Sequence, residues 1–120
     1  MKLYIGGAGN GQTELAQAES GLTPLGCTPE SALRAPAIGD FHLLIRQVLE
    51  QGGDARAFAE KLLAENPAAL VVSDEIGLGI VPLDPFERRW REETGRALCV
   101  LAAGAERVTR VYCGIPKVIK

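Results

Sequence analysis

Gly6, Gly11, Gln12 and Thr13 are the residues whose types and spacing point most directly to chemistry. Gly6 and Gly11 bracket Gly7, Ala8, Gly9 and Asn10, and Gln12 and Thr13 follow, which is the frame of a phosphate-binding loop without its lysine. In an intact GxxxxGK[ST] loop the glycines let successive backbone N–H groups turn towards phosphate oxygens. The lysine reaches the terminal phosphates and the hydroxyl binds Mg²⁺. Gln12 stands in the lysine's place. Its amide can donate hydrogen bonds but brings no positive charge, so a transferring phosphoryl group would lose a principal stabiliser. Gly6 to Thr13 is therefore expected to bind ATP or GTP and to be a poor kinase. GxxxxG frames also arise by chance, and on the motif alone a simple turn is the competing reading.

Asp74 and Glu75 follow the apolar run Ala69-Leu70-Val71-Val72-Ser73, which delivers two carboxylates to the end of a strand. With the Thr13 hydroxyl, Glu75 or Asp74 beside it is the expected Mg²⁺-side carboxylate, against a helix-capping or solvated role. His42 is the only histidine and the only imidazole nucleophile available. Its neighbours Phe41, Leu43, Leu44 and Ile45 favour a packing helix instead. Arg88, Arg89 and Arg91 make a basic cluster that either contacts a phosphate or pairs with Glu87, Glu92 and Glu93 at helical spacing.

Composition bounds the remaining possibilities. With 120 residues, 47% of them hydrophobic, the chain fits one domain around one core. Aromatic residues make up only 5%, leaving no platform for stacking single-stranded nucleic acid, and a net charge of −2 speaks against a phosphate-backbone partner. Cys27, Cys99 and Cys113 show no CxxC spacing and read as reduced thiols in a cytoplasmic protein. No leader is expected from the short apolar stretch after Lys2, and no stretch approaches the ~18 apolar residues of a membrane span.

These residues need elements to hold them. Lys2 to Ile5 reads as a strand entering the glycine loop, and Thr13 to Glu19 as the helix behind it. Gly21 to Pro36 reads as loop with a brief helix at Glu30 to Leu33. Asp40 reads as the N-cap of a helix whose apolar face is Phe41, Leu44, Ile45, Val48 and Leu49, stopped by Gly52-Gly53. A second helix runs from Asp54 to Asn66-Pro67, and Ala69 to Ser73 is a buried parallel strand. Asp84-Pro85-Phe86-Glu87 is a helix start, with Glu87 expected to bond back to the cap, and the helix runs to about Ala105. Val108 to Cys113 is the last strand, followed by a short basic tail.

Gly6-Gly7-Ala8, then Asp74-Glu75-Ile76-Gly77-Leu78-Gly79-Ile80-Val81-Pro82, then Trp90-Arg91-Glu92-Glu93-Thr94-Gly95-Arg96, then Cys113-Gly114-Ile115-Pro116 occur in this order. Together they resemble the adenosylcobinamide kinase/adenosylcobinamide-phosphate guanylyltransferase family of cobalamin biosynthesis. The resemblance covers the first twenty residues and nearly everything from Ala68 onward. It implies an α/β, P-loop NTPase-like three-layer fold with a small, mainly parallel sheet. It also implies Mg²⁺ with ATP or GTP, a corrinoid acceptor, no nucleic-acid or membrane partner, and a homo-oligomer, trimeric in the family. Family members phosphorylate a cobinamide side chain and transfer GMP through a guanylylated histidine. The sequence departs from that pattern at Gln12, and at Gly9 and Asn10, which stand for the family's loop arginine and serine. Between Gly21 and Asp40 it is shorter than the family by a strand and the histidine-bearing helix, which leaves His42 as a weak candidate for the guanylylated residue. The expectation is a nucleotide-binding protein with transfer weakened or lost, or else a non-catalytic binding or assembly module.

Overall fold

The computed structural model describes residues Met1–Lys120. Five strands form one sheet in the order β2-β3-β1-β4-β5, where β1 is Lys2–Gly6, β2 Ala37–Ile38, β3 Leu70–Asp74, β4 Arg107–Tyr112 and β5 Ile115–Val118. All neighbours are parallel except β4 and β5. The helices are α1 (Gln12–Ser20), α2 (Pro29–Ala32), α3 (Phe41–Glu50), α4 (Ala55–Glu65) and α5 (Pro85–Gly104). This is the expected α/β three-layer arrangement of a P-loop NTPase-like fold.

Strand alternation builds the layers, because successive side chains point to opposite faces. Leu3, Val71 and Val108 pack with Phe41, Leu44, Ile45 and Leu49 of α3, Ala59 and Leu62 of α4, and Ala97 and Leu101 of α5. Tyr4, Leu70 and Val72 face the other way and pack with Ala16 of α1. Both faces of the central strands are thus covered, and β3 reads as an unbroken apolar run for that reason. The strand order reverses around β1, the position at which open α/β sheets place ligands.

Three expectations are corrected, and one element is new. Asp40 adopts a left-handed conformation (φ 50°) and its side chain makes no cap bond, so α3 starts without the N-cap expected there. Glu87 does not bond back to its cap; its carboxylate accepts a 2.7 Å bond from Arg46 Nη2, while Asp84 alone caps α5 through the N–H groups of Phe86 and Glu87. Beyond the expected loop and short helix of Gly21 to Pro36 the structure adds a strand: Ala37 and Ile38 pair with Leu70 and Val71 as the edge strand β2, and Leu25 bridges to Ile38. Finally, the basic tail folds back as β5. Cys113 (φ 50°) and Gly114 (φ 79°) both hold positive φ, the requirement of the two-residue hairpin turn whose twist matches its strands. Pro116 is tolerated there because β5 is an edge strand.

Candidate functional site

The glycine loop leaves the C-terminal end of β1 and enters α1, whose N-cap is Gly11 in a left-handed conformation (φ 89°) with no side-chain cap. The backbone N–H groups of Gly9, Gly11, Gln12 and Thr13 make no hydrogen bond. Free donors at a helix N-terminus, aligned with its dipole, are the elements of an anion cradle. Gly6 must be glycine for a steric reason: a Cβ there would meet Val111 O at 2.8 Å.

Gln12 is the centre of this arrangement. Its side chain is buried (3% exposed), and Nε2 faces three acceptors: Gly6 O at 3.2 Å, Gly7 O at 3.2 Å and Asp74 Oδ1 at 2.7 Å. An amide nitrogen carries two protons and an ammonium three, so these acceptors form a set better matched to a lysine. Gln12 Oε1 is buried without a partner. The amide holds the loop carbonyls as a lysine would, but delivers no positive charge to a phosphate.

Asn10 fastens the loop from the other side. Its Nδ2 donates to Gly7 O at 3.1 Å, its Oδ1 accepts from the Cys113 N–H at 2.9 Å, and its backbone carbonyl accepts from the Gly114 N–H at 2.7 Å. The β4–β5 turn is therefore latched to the loop through one residue. Neither this latch nor the turn was visible in the spacing of the motif.

Of the two carboxylates at the end of β3, Asp74 faces the loop. Asp74 is in register with Gly6, whereas Glu75 accepts a 2.8 Å bond from Arg110 Nη2 and is bonded to the loop only through its backbone N–H to Gly6 O. His42 also belongs to this cluster. The ring is buried; Nδ1 accepts from the Asp74 N–H at 3.2 Å and Nε2 lies 3.6 Å from Asp74 Oδ2. Accepting at Nδ1 puts the proton of the neutral ring on Nε2, towards the carboxylate. Trp90 Nε1 donates to the His42 carbonyl at 2.7 Å and ties α5 to the same point. The geometry gives His42 an anchoring position at the strand end, with one nitrogen occupied by backbone and the other turned to Asp74. Thr13 is partly buried on the first turn of α1. Arg88 and Arg89 are exposed without ion pairs, and Arg91 donates to the carbonyls of Gly77 and Gly79.

A strand, glycine loop and helix at the switch point of a mainly parallel sheet, followed by the glycine-rich segment after β3, define an α/β, P-loop NTPase-like class of fold. The family model described as Cobinamide kinase / cobinamide phosphate guanyltransferase matches residues 42–119, more than half of the chain, and the chain belongs to this family. The bifunctional adenosylcobalamin biosynthesis protein CobP of Pseudomonas aeruginosa is 39% identical over 69 residues, which is 57% of this chain and 39% of that relative. The match thus spans well under half the length of the relative. The family match begins at His42 and does not include the glycine loop. No helix is long and apolar enough to cross a membrane.

Proposed function

We propose that this member of the cobinamide kinase/guanylyltransferase family binds the polyphosphate of ATP or GTP at Gly6 to Thr13, in or beside cobalamin biosynthesis, with phosphoryl and nucleotidyl transfer weakened or lost. The observation that carries the reading is the loop itself: unbonded N–H groups at the start of α1, with the Gln12 amide seated where the acceptors call for an ammonium. Loss of one such electrostatic contact lowers rates by about 10²- to 10³-fold, which predicts slow transfer where any survives.

Mg²⁺ accompanies the nucleotide in this reading, held by the Thr13 hydroxyl and a strand-end carboxylate. Glu75 and Asp74 both stand at the strand end, and Asp74 fits better, because Glu75 is paired with Arg110 while Asp74 Oδ2 has His42 no closer than 3.6 Å. A hard cation bound through one carboxylate, a hydroxyl and substrate phosphates suits this sparse set of oxygens. When bound it would neutralise phosphate charge. A corrinoid acceptor, a homo-oligomeric and trimeric assembly, and a cytoplasmic setting complete the proposal by family likeness.

A second reading, a non-catalytic assembly module, is favoured by one observation. The loop after β3 leaves Leu78 59%, Ile80 96%, Val81 61% and Leu83 92% exposed, an apolar projection of the kind that marks interaction surfaces. Isothermal titration of ATP and GTP, with and without Mg²⁺, separates the two. Magnesium-dependent binding supports the first reading, and silence for both nucleotides at millimolar concentration supports the second.

A further inference from the structure

Two hollows meet along one flank of α5, beside β1 and the segment after β3, and no residue of Gly6 to Thr13 lines either of them. One is an apolar cavity of about 300 Å³ lined chiefly by Ile5, Ile76, Leu78, Leu98 and Ala102. The other is a depression of about 460 Å³ bordered by Arg88 and Arg91. Gly77 and Gly95 line both, so the two are continuous.

Gly95 has no packing reason to be glycine. It lies inside the twenty-residue helix α5, where glycine costs about 1 kcal/mol relative to alanine. Yet its φ is not positive, and a Cβ built there meets nothing within 4 Å. The missing side chain leaves the junction of the two hollows open. Beside it, two buried polar atoms lack hydrogen-bond partners: Thr94 Oγ1, on a residue lining the cavity and 1% exposed, and Arg91 Nη1, on a residue lining the depression. Buried donors without partners are rare and mark groups that a ligand can satisfy.

Charge decides what kind of ligand. The acidic residues that border the hollows are already engaged, Glu75 with Arg110 and Glu92 with Arg96. Arg88 and Arg91 have no carboxylate partner, and Arg91 bonds only to the carbonyls of Gly77 and Gly79. The cavity offers apolar surface with a hydroxyl, and its mouth offers uncompensated positive charge. We propose that the two hollows form one binding site for a compact apolar anion, its hydrocarbon or aryl body beside Thr94 and its carboxylate or phosphate against Arg88 and Arg91. A volume of about 300 Å³ lies at the lower end of ligand pockets, which restricts the apolar body to a small one. The site is independent of nucleotide binding at the loop.

The test titrates octanoate, octyl phosphate and octan-1-ol into the full chain, followed by the amide NMR signals of Gly77 and Gly95 and by calorimetry. Octanoate or octyl phosphate is expected to bind with a millimolar or tighter Kd, and octan-1-ol about tenfold more weakly, the equivalent of one charged contact. The comparison of the two anions separates carboxylate from phosphate recognition. Gly95→Leu improves helix propensity and fills the junction, so a folded variant with at least about tenfold weaker binding is expected. Arg88→Ala, at an exposed residue, should weaken the anions and leave octan-1-ol unchanged. No binding of octanoate or octyl phosphate at 10 mM (about the weakest range calorimetry reads), equal affinity for the anions and for octan-1-ol held below its solubility limit, or unchanged binding in Gly95→Leu would overturn the proposal.

Discussion

Gln12 Nε2 lies 2.7 Å from Asp74 Oδ1, so the side chain at the end of the glycine loop proposed to bind phosphate is bonded to the carboxylate at the end of the neighbouring strand. The pair sets the electrostatics of the site. A lysine would cancel the charge of Asp74 and leave the loop close to neutral. The amide leaves that charge in place, with a neutral His42 ring beside it.

Asp74→Asn removes this charge while keeping an oxygen acceptor for Gln12. A unit charge near phosphate in a partly solvated site is worth on the order of 1 kcal/mol or more, so ATP binding without Mg²⁺ should tighten by about tenfold. The gain should shrink when Mg²⁺ is present, because the carboxylate then has a cation to serve. Calorimetry in the two conditions measures both effects. Equal affinity of wild type and variant without Mg²⁺ would show that Asp74 does not govern phosphate entry.

Asn10→Ala cuts the latch between the loop and the β4–β5 turn. It deletes the bonds to Gly7 O and from the Cys113 N–H, each worth about 0.5–1.5 kcal/mol net. Urea denaturation should therefore show a loss of about 1–2 kcal/mol. A loss below a few tenths would mean that the turn holds its place without the latch.

How far the sequence carried this account depends on the kind of signal each residue gives. Strand, loop and helix around Gly6 to Thr13 were legible because glycine spacing and the 3.6-residue period are local. So was the start of α5, where Asp84 caps two N–H groups and Pro85 fills the first turn. β2 was not legible, since Ala37 and Ile38 are too few to show a period and pair only through contacts distant in sequence. β5 was hidden by Gly114 and Pro116, which read as breakers but serve as a turn and an edge-strand residue. Asp74 and Glu75 could not be ranked from sequence: adjacent residues leave a strand end in opposite directions, and only the register with Gly6 shows which one faces the loop. The Asn10 latch spans 103 residues and carries no sequence signature.

Tyr4 supplies a pH test of the other face of the sheet. Its hydroxyl donates to Glu19 Oε1 at 2.6 Å; burial first, then this bond and the Glu19 charge, push the phenol up to about 12 from 10.0, partly opposed by Arg107. A folded-state value above the unfolded one means that the contribution is fully present below pH 10 and is lost as pH rises towards about 12. The stability difference between wild type and Tyr4→Phe should be constant from neutral pH to the onset of that window and fall across it. Denaturation midpoints at stepped pH give the comparison, and a difference that stays level through the window would remove Tyr4 from the account.

Gln12→Lys tests the central claim most directly. The new ammonium has the three acceptors it needs in Gly6 O, Gly7 O and Asp74 Oδ1, and it restores the charge that a phosphate loop uses. Titration of ATP and GTP with Mg²⁺ into wild type and Gln12→Lys should show the variant binding at least about tenfold more tightly, as expected when a positive charge offsets Asp74 beside the phosphates. Unchanged affinity in a folded variant would contradict the assignment of Gly6 to Thr13 as a phosphate site.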